Sequence, residues 1–253
     1  LPELPPSLEL IETTELLKAC IQSRVALAEL KQAAELIPNA AVLVNALPLL
    51  EARASSEIEN IVTTTDKLFE YADIAEDKAD AATKEALRYR TALFEGSKMV
   101  KRGMLSTDMA IHMCSTIQVI ELDIRAESGT TLKSRMTGEV IYTPPEGQKL
   151  LQQKLENWAD FMQNCVEVDP LVRMAVQHYQ FEAIHPFSDG NGRTGRILNI
   201  LFLLQHGLLD SPILYLSRFI IQNKADYYRL LKGVTNEQAW SDWIMFILKG
   251  VED

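Results

Sequence analysis

The 253-residue sequence has few cysteines, no long apolar run and no excess of positive charge. Cys20, Cys114 and Cys165 are odd in number and widely spaced, which fits neither a disulfide framework nor a zinc-ligand pattern and favours a reducing, cytoplasmic compartment. The longest apolar stretches fall well short of the ~20 residues that a membrane-spanning helix needs. We therefore expect neither a disulfide-stapled protein nor a membrane protein.

The charge balance is acidic, because 35 Asp and Glu residues outnumber 25 Lys and Arg residues and give a net charge of −10. Such a balance argues against direct nucleic-acid binding. The first residues, which do not begin with Met, contain neither the basic stretch nor the apolar run of a secretory signal. A hydrophobic content of 47% is ample for a folded core.

Apolar residues recur at three- and four-residue spacing along most of the chain, which is typical of amphipathic helices. The spacing predicts helices over 14–37, 41–54, 72–94, 107–118, 148–166, 171–184, 194–206, 224–233 and 237–248. Another helix is predicted to begin at Ser55-Ser56, since hydroxyls suit an N-cap and Ser56 with Glu59 fits a capping box. Residues 123–147 instead carry strand formers between turn signals. The sequence predicts a mainly α fold with one β-hairpin.

The segment from His185 to Arg196, HPFSDGNGRTGR, carries the chemically informative residues. Glycines on both sides of Asn191 allow positive φ angles, which let consecutive N–H groups converge on an anion. A helix N-terminus follows and favours negative charge. Arg193 and Arg196, three residues apart, can grip phosphate oxygens from the same side. The segment therefore predicts a binding site for phosphate groups.

Two other side chains of this segment suit phosphate chemistry. Asp189 is a hard oxygen ligand directly before the glycines, suited to a Mg²⁺ ion that also binds phosphates. His185 carries an imidazole that can take a proton from an incoming hydroxyl. Together they predict phosphoryl or nucleotidyl transfer.

The same twelve residues resemble the Fic motif, His-x-Phe-x-Asp/Glu-Gly-Asn-Gly-Arg-x-x-Arg, and match every defined position. The resemblance implies a helical bundle with a β-hairpin flap, and the usual activity of this family is protein adenylylation. With ATP as substrate and Mg²⁺ as cofactor, AMP would pass to a Tyr, Thr or Ser hydroxyl of a target protein, and pyrophosphate would leave. Self-adenylylation and a homodimer are also compatible with the resemblance.

The resemblance also implies a role for individual residues. His185 is expected to be the base, and Asp189 is expected to hold the metal. The residues expected at ATP are Gly190, Asn191, Gly192, Arg193, Arg196, Asn199 and Tyr228. Only one of the adjacent Tyr227 and Tyr228 can face a given site, and Tyr228 is favoured. The flap, residues 123–147, is expected to pair with an extended segment of the target through Val140, Ile141, Tyr142 and Thr143.

Residues 55–60, SSEIEN, resemble the inhibitory motif of the same family, Ser/Thr-x-x-x-Glu-Gly/Asn, with Ser55, Glu59 and Asn60 at its defined positions. This resemblance implies an inhibitory helix over about 55–70, within an N-terminal helical region 1–95 that precedes a catalytic core 96–253. Glu59 is expected to pair with Arg196, to occupy the grip for the γ-phosphate and so to hold the basal activity low.

The residues alone leave other interpretations open. Glu59 could serve only as a capping-box residue, and in some relatives the equivalent glutamate orients a water that removes AMP. The chain could transfer another phosphate-containing group, or act as a non-catalytic helical interaction module. His178 lies seven residues before His185 and would suit a metal-hydrolase site, but such a site leaves the glycines and arginines unused.

Overall fold

The computed structural model describes residues 1–37, 39–72, 78–133 and 138–253. Within these ranges the chain forms helices α1 (Leu8–Ile11), α2 (Thr14–Leu36), α3 (Ala40–Ile58), α4 (Thr65–Tyr71), α5 (Ala81–Val100), α6 (Thr107–Gln118), α7 (Gln148–Asn164), α8 (Pro170–Ile184), α9 (Asn191–Gln205), α10 (Leu216–Gln222), α11 (Lys224–Glu237) and α12 (Trp240–Glu252). Strands β1 (Leu132–Lys133) and β2 (Val140–Tyr142) form an antiparallel pair. The predicted mainly α fold is confirmed.

Helices α8 and α9 form the centre of the bundle. Nearly every residue of both is buried, which is expected of helices that are covered on all sides. Helices α7 and α12 pack on α8, whereas α3, α5 and α6 pack on α9. One continuous apolar core joins these helices, so the N-terminal helices α2, α3 and α5 share it with the later ones. The connection between α8 and α9 is thereby held on a rigid support.

Polar side chains fix the starts of several helices. Thr13 accepts a hydrogen bond from the backbone N–H of Leu16 at the start of α2. Ser106 does the same at α6, and Asp169 at α8, where Pro170 is the first helical residue. The predicted bounds of α6 are confirmed, and α8 begins one residue before its prediction.

The prediction of a helix over about 55–70 is wrong. Helix α3 continues through Ser55 and Ser56 to Ile58, and a separate helix, α4, begins at Thr65. Ser55 and Ser56 are fully buried on the last turns of α3, so they cap no helix start. A hydroxyl residue acts as an N-cap only where the backbone before it is not helical. Here the helix that contains Pro48 has already begun at Ala40 and continues through both serines.

Several other boundaries differ from their predictions. Helix α9 begins at Asn191, three residues early, because the backbone turns at Gly190. The short helices α1 and α10 carry too few turns to show a period. Part of the predicted helix over 72–94, residues 73–77, lies outside the described residues, as do 134–137 of the hairpin; α5 itself runs to Val100.

The first residues form no regular element, as their prolines indicate, yet they are packed against the bundle. The backbone N–H of Leu4 donates to the Asn157 side chain of α7, and that side chain donates back to the Leu4 carbonyl. None of the helices in the described ranges combines the length and apolar character that crossing a membrane requires.

Candidate active site

A short loop, residues 185–190, joins the buried helices α8 and α9; we call it the motif loop. His185 closes α8 in a left-handed conformation with a φ of 51°, and its N–H donates to the Phe181 carbonyl. Gly190 is also left-handed, with a φ of 82°, and directly precedes α9. The two left-handed residues therefore end α8 and turn the chain into the N-terminus of α9.

Asn191 braces the motif loop from inside. Its side-chain oxygen accepts from the Phe187 N–H at 2.9 Å, and its amide nitrogen donates to the Phe187 carbonyl at 2.7 Å. The ring of Phe187 is itself buried against Phe181. The Asn191 side chain therefore stabilises the loop conformation. Its backbone N–H is one of the first N–H groups of α9.

The two glycines that flank Asn191 serve different purposes. Gly190 has the positive φ that the sequence suggests for both. Gly192 is an ordinary helical residue, but a Cβ atom there would lie 2.5 Å from Glu59 Oε1 and 2.9 Å from Arg196 Nη1. Gly192 does not use the positive φ that its residue type allows, and a side chain at this position would displace the Glu59 carboxylate or the Arg196 guanidinium.

Glu59, the residue that directly follows α3, bridges the two motif arginines. Its Oε1 lies 2.7 Å from Arg196 Nη2, and its Oε2 lies 2.7 Å from Arg193 Nε. Arg196 also donates from Nε to Ser55 Oγ and from Nη2 to the Ser55 carbonyl. The structure therefore brings Ser55, Glu59, Arg193 and Arg196 together. Glu59 caps no helix start, so its capping-box interpretation is wrong.

Arg193 has further carboxylate neighbours. Glu85 of α5 pairs with its Nη1, and Asp189 Oδ1 lies 3.4 Å from its Nη2. Only 1% of the Arg193 side chain is exposed. Glu85 was not among the predicted residues, because it is distant in sequence from residues 185–196 and belongs to neither of the two motifs. Its position beside Arg193 follows from the packing of α5 on α9.

Electrostatics keep this cluster ionised. Burial raises the pKa of Glu59, but the charges of Arg196 and Arg193 outweigh burial and hold that pKa below its usual range. Burial by itself lowers the pKa of Arg196, yet Glu59 holds it above its usual range. At neutral pH the cluster is therefore charged, and the Glu59 carboxylate forms ion pairs with the guanidinium groups of both arginines.

The His185 imidazole is largely shielded from solvent, and burial is the main reason that its pKa falls to about 4. Within the described residues, its Nδ1 is buried without a hydrogen-bond partner. The ring is therefore uncharged at neutral pH, which is the form that can accept a proton.

Asp189 is the exposed carboxylate of the motif loop, with 71% of its side chain accessible. Gln118 Nε2 donates to its Oδ2 at 3.1 Å, and Cys114 Sγ donates to its carbonyl oxygen. In the described ranges, no three His, Cys, Asp or Glu side chains cluster as a ready metal site. Asp189 thus presents an exposed carboxylate close to the start of α9.

Other predicted residues lie apart from the motif loop. Asn199 is fully buried between α8 and α9, where its side-chain oxygen accepts from Gln177. Tyr227 is buried with its hydroxyl 2.9 Å from His178 Nε2, whereas Tyr228 is 48% exposed. His178 is therefore engaged in the core, and burial lowers its pKa to about 3, which leaves the metal-hydrolase interpretation without support.

Asn60 continues the segment from Glu59 in a left-handed conformation with a φ of 66°. Its side-chain oxygen accepts from Lys224 Nζ at 3.2 Å. This contact joins the inhibitory-motif residues to the start of α11.

The hairpin lies beside the C-terminal end of α8. Tyr142 pairs with Leu132 in register, and its hydroxyl donates to the Ala183 carbonyl at 2.8 Å. Val140 and Ile141 on the same strand are about half exposed, and Thr143 follows the strand. A hairpin with exposed residues is thus fixed next to His185.

A helical bundle with a hairpin beside a central glycine-containing loop defines a Fic-type architecture, and the comparisons with known proteins agree. The family model described as Fic/DOC family N-terminal matches residues 17–98, and the model described as Fic/DOC family matches residues 109–203. The chain belongs to the Fic/DOC family.

Relatives of known name are similar over part of the chain. "Protein adenylyltransferase fic-1" of Caenorhabditis elegans is 32% identical over 113 residues, which are 44% of this chain and 21% of that protein. "Protein adenylyltransferase Fic" of Drosophila grimshawi is 28% identical over 185 residues, covering 66% of this chain and 37% of that protein. The chain therefore spans well under half the length of these curated relatives.

A solved structure of similar fold covers the whole length of this chain. The crystal structure of a Fic family protein from Desulfovibrio desulfuricans superimposes with a TM-score of 0.78, covering 100% of this chain and 74% of that one. The sequence identity is 19%, so this likeness concerns the fold alone.

Proposed function

We propose that the chain is a protein adenylyltransferase held in check by Glu59. The observation that carries the proposal is the double ion pair in which Glu59 occupies Arg193 and Arg196 at the N-terminus of α9. The names of the relatives, which are protein adenylyltransferases, support the reaction class.

ATP would bind with its phosphates at the start of α9. The first backbone N–H groups of a helix lack intrahelical partners and, with the positive end of the helix dipole, favour an anion there. Gly190 at the N-cap has no side chain that could cap them. Arg193 and Arg196 would hold phosphate oxygens once their carboxylate partners are displaced. A guanidinium suits this role because its planar donors match two oxygens at once.

Asp189 fits a Mg²⁺ ion that arrives with the nucleotide. Its carboxylate is exposed at the loop, and Mg²⁺ in nucleotide sites commonly takes one or two carboxylates besides phosphates and water. When bound, the ion would neutralise charge on the phosphates and orient them. Gln118 holds the Asp189 carboxylate toward this position.

His185 would take the proton from the target hydroxyl as the hydroxyl attacks the α-phosphorus. The bond from the α-phosphorus to the bridging oxygen breaks, AMP stays on the target oxygen, and pyrophosphate leaves with the β- and γ-phosphates. An uncharged imidazole at neutral pH is the form required for this step. Most of the rate would come from positioning and charge neutralisation, because no covalent nucleophile is needed.

The flap would bind the target as an added strand. In the described part of the chain β2 pairs with β1 alone, so its other edge can accept a further strand by main-chain pairing. Val140 and Ile141 on this strand are about half exposed. A protein carrying a Tyr, Thr or Ser hydroxyl is the proposed partner, and the chain itself is one candidate target. Three buried free thiols are compatible with the cytoplasmic location that belongs to this proposal.

The experiment is incubation with ATP labelled at the α-phosphate and Mg²⁺, followed by intact-mass spectrometry. The variant Glu59→Gly should gain one or more AMP groups on itself or on added protein, at a rate at least about tenfold above the parent, because the phosphate grip is no longer occupied. The double variant Glu59→Gly, His185→Ala should show no gain.

The matched control is Glu57→Gly, which introduces the same residue in the same turn without releasing either arginine. It should stay at the parental rate. An unmodified Glu59→Gly chain and partner pool would contradict the transferase assignment. Loss of AMP from pre-modified protein, with no net transfer, would instead identify the removal of AMP as the activity.

A further inference from the structure

The motif loop is held from the flap side by a buried arginine that no motif includes. Arg125 lies between α6 and β1, and 4% of it is exposed. Its Nε donates to the His185 carbonyl at 2.7 Å, and its Nη2 donates to the Pro145 carbonyl at 2.6 Å. Its backbone N–H donates to the Pro186 carbonyl at 2.9 Å. One residue thus joins two consecutive peptide groups of the loop to the end of the flap.

These contacts supply hydrogen-bond donors to backbone carbonyls at and just after the end of α8. The last carbonyls of a helix lack intrahelical partners, and a cation is favourable at that end. His185 adopts a left-handed conformation that is uncommon outside glycine, and its carbonyl must then be satisfied from outside the helix. Arg125 provides that donor, while Tyr142 satisfies the Ala183 carbonyl two residues earlier.

We propose that Arg125 is a positioning residue for His185, which fixes the backbone that carries the imidazole and couples it to the flap. The inference rests on the proposed function, in which His185 is the base. Arg125 acts through the His185 and Pro186 carbonyls rather than through substrate. Since a displacement of about 1 Å can cost about a hundredfold in rate, loss of this support should slow the chemical step.

The test compares Arg125→Lys and Arg125→Met, each in the Glu59→Gly background. We expect kcat for AMP transfer to fall about 10- to 100-fold, with the KM for ATP changed by less than about twofold, because the phosphate-binding residues are untouched. Arg125→Lys keeps a cation of similar reach, so it tests the proposal even if Arg125→Met fails to fold.

Arg173→Lys is the matched control. Arg173 is also a buried arginine that donates to a carbonyl, that of Met162, but it lies at the opposite end of α8 from His185. It should leave kcat within about twofold of the parent. An equal loss of kcat in Arg173→Lys and Arg125→Lys would overturn the proposal, and so would an unchanged kcat in both Arg125 variants.

The imidazole resonances provide a readout that does not depend on activity. The chain has 4 histidines, and the signal that disappears in His185→Ala belongs to His185. We expect that signal to move in Arg125→Lys and to stay in place in Arg173→Lys. A moved signal in a chain that transfers no AMP would contradict the proposed function while supporting the positioning role, whereas an unmoved signal would overturn that role.

Discussion

Ser55 and Arg196 are joined twice, through Nε to Ser55 Oγ at 2.7 Å and through Nη2 to the Ser55 carbonyl at 2.9 Å. Ser55 on α3 thus holds the Arg196 guanidinium in the position where it pairs with Glu59. Both contacts are buried, where a hydrogen bond to a charged group is stronger than one in water.

Ser55→Ala should therefore destabilise the fold and loosen the inhibitory segment. Losing a buried hydrogen bond to a charged group costs about 1.5–3 kcal/mol, and the basal AMP transfer should rise with it. The measurement is urea unfolding followed by circular dichroism, together with the labelling assay on the same protein.

Ser56→Ala is the control, because Ser56 is equally buried but its hydroxyl has no partner among the described residues. Removing an unsatisfied hydroxyl should be neutral or stabilising. If both serine variants lost the same stability, the contact with Arg196 would not be the reason for the loss at Ser55.

Gly192→Ala should disturb the inhibitory contact directly. The added Cβ would approach Glu59 Oε1 at 2.5 Å and Arg196 Nη1 at 2.9 Å, so the carboxylate must shift. Overpacking of this kind costs about 1–3 kcal/mol. We expect a lower melting temperature and a basal AMP transfer that differs from the parent.

Gly103→Ala provides the comparison, since none of the residues that the structure describes has an atom within 4 Å of its added Cβ. It should melt within about 2 °C of the parent. A Gly192→Ala chain that melts with the parent would show that Glu59 does not rest against that Cα in solution.

The sequence predicts the local features well where a pattern is long or chemically specific. The helix predicted over 107–118 agrees with the bounds of α6 in the structure. The motif segment predicts a loop that leads into the N-terminus of a helix, because Gly190 and the helix that follows are local properties of the chain. Its arginines fall on one side because three-residue spacing is nearly a helical turn.

Contacts that depend on the packing of distant helices are not visible in the sequence. Glu85 pairs with Arg193 only because α5 packs on α9. Ser55 suggests a helix start by type, but its burial against Arg196 places it inside α3. Arg125 belongs to no pattern, although it makes hydrogen bonds to the motif loop.

The Glu59 carboxylate should contribute stability that depends on pH. Its pKa in the folded chain is held below its usual range by Arg196 and Arg193, against the opposing effect of burial. Because this pKa is lower in the folded chain than in the unfolded chain, Glu59 stabilises the fold fully at pH values above its pKa in the unfolded chain. The stabilisation is lost as the pH falls through its pKa in the folded chain. The stability difference between the parent and Glu59→Gln should be constant from about pH 6 to 8 and shrink below about pH 4.5.

Glu57→Gln is the control for this titration. In the described part of the chain, Arg196 pairs with Glu59, and Arg193 pairs with Glu59, Glu85 and Asp189. Glu57→Gln therefore removes a carboxylate of the same segment without breaking any of these ion pairs. A difference between parent and Glu59→Gln that grows as the solution is acidified would contradict the ion pairs.

Glu182 should have the opposite effect on stability. It lies on α8 close to Gly195, and its Oε1 is buried without a hydrogen-bond partner among the described residues. Burial raises its pKa to about 7, with Arg196 opposing the rise and Glu59 adding to it. The folded chain therefore retains a proton on Glu182 that the unfolded chain has already released between about pH 4.5 and 7.

Glu182→Gln should accordingly stabilise the protein at neutral and alkaline pH but not under acidic conditions. The cost of folding with Glu182 should grow as pH rises from about 4.5 to 7 and then level off at about 3 kcal/mol, because a tenfold difference in proton affinity between the folded and unfolded chains corresponds to about 1.4 kcal/mol. Unfolding of the parent and the variant at pH 4 and pH 8 gives this difference. Equal stabilities at pH 8 would mean that the Glu182 carboxylate is solvated or paired when ionised, and that its buried environment does not raise its pKa.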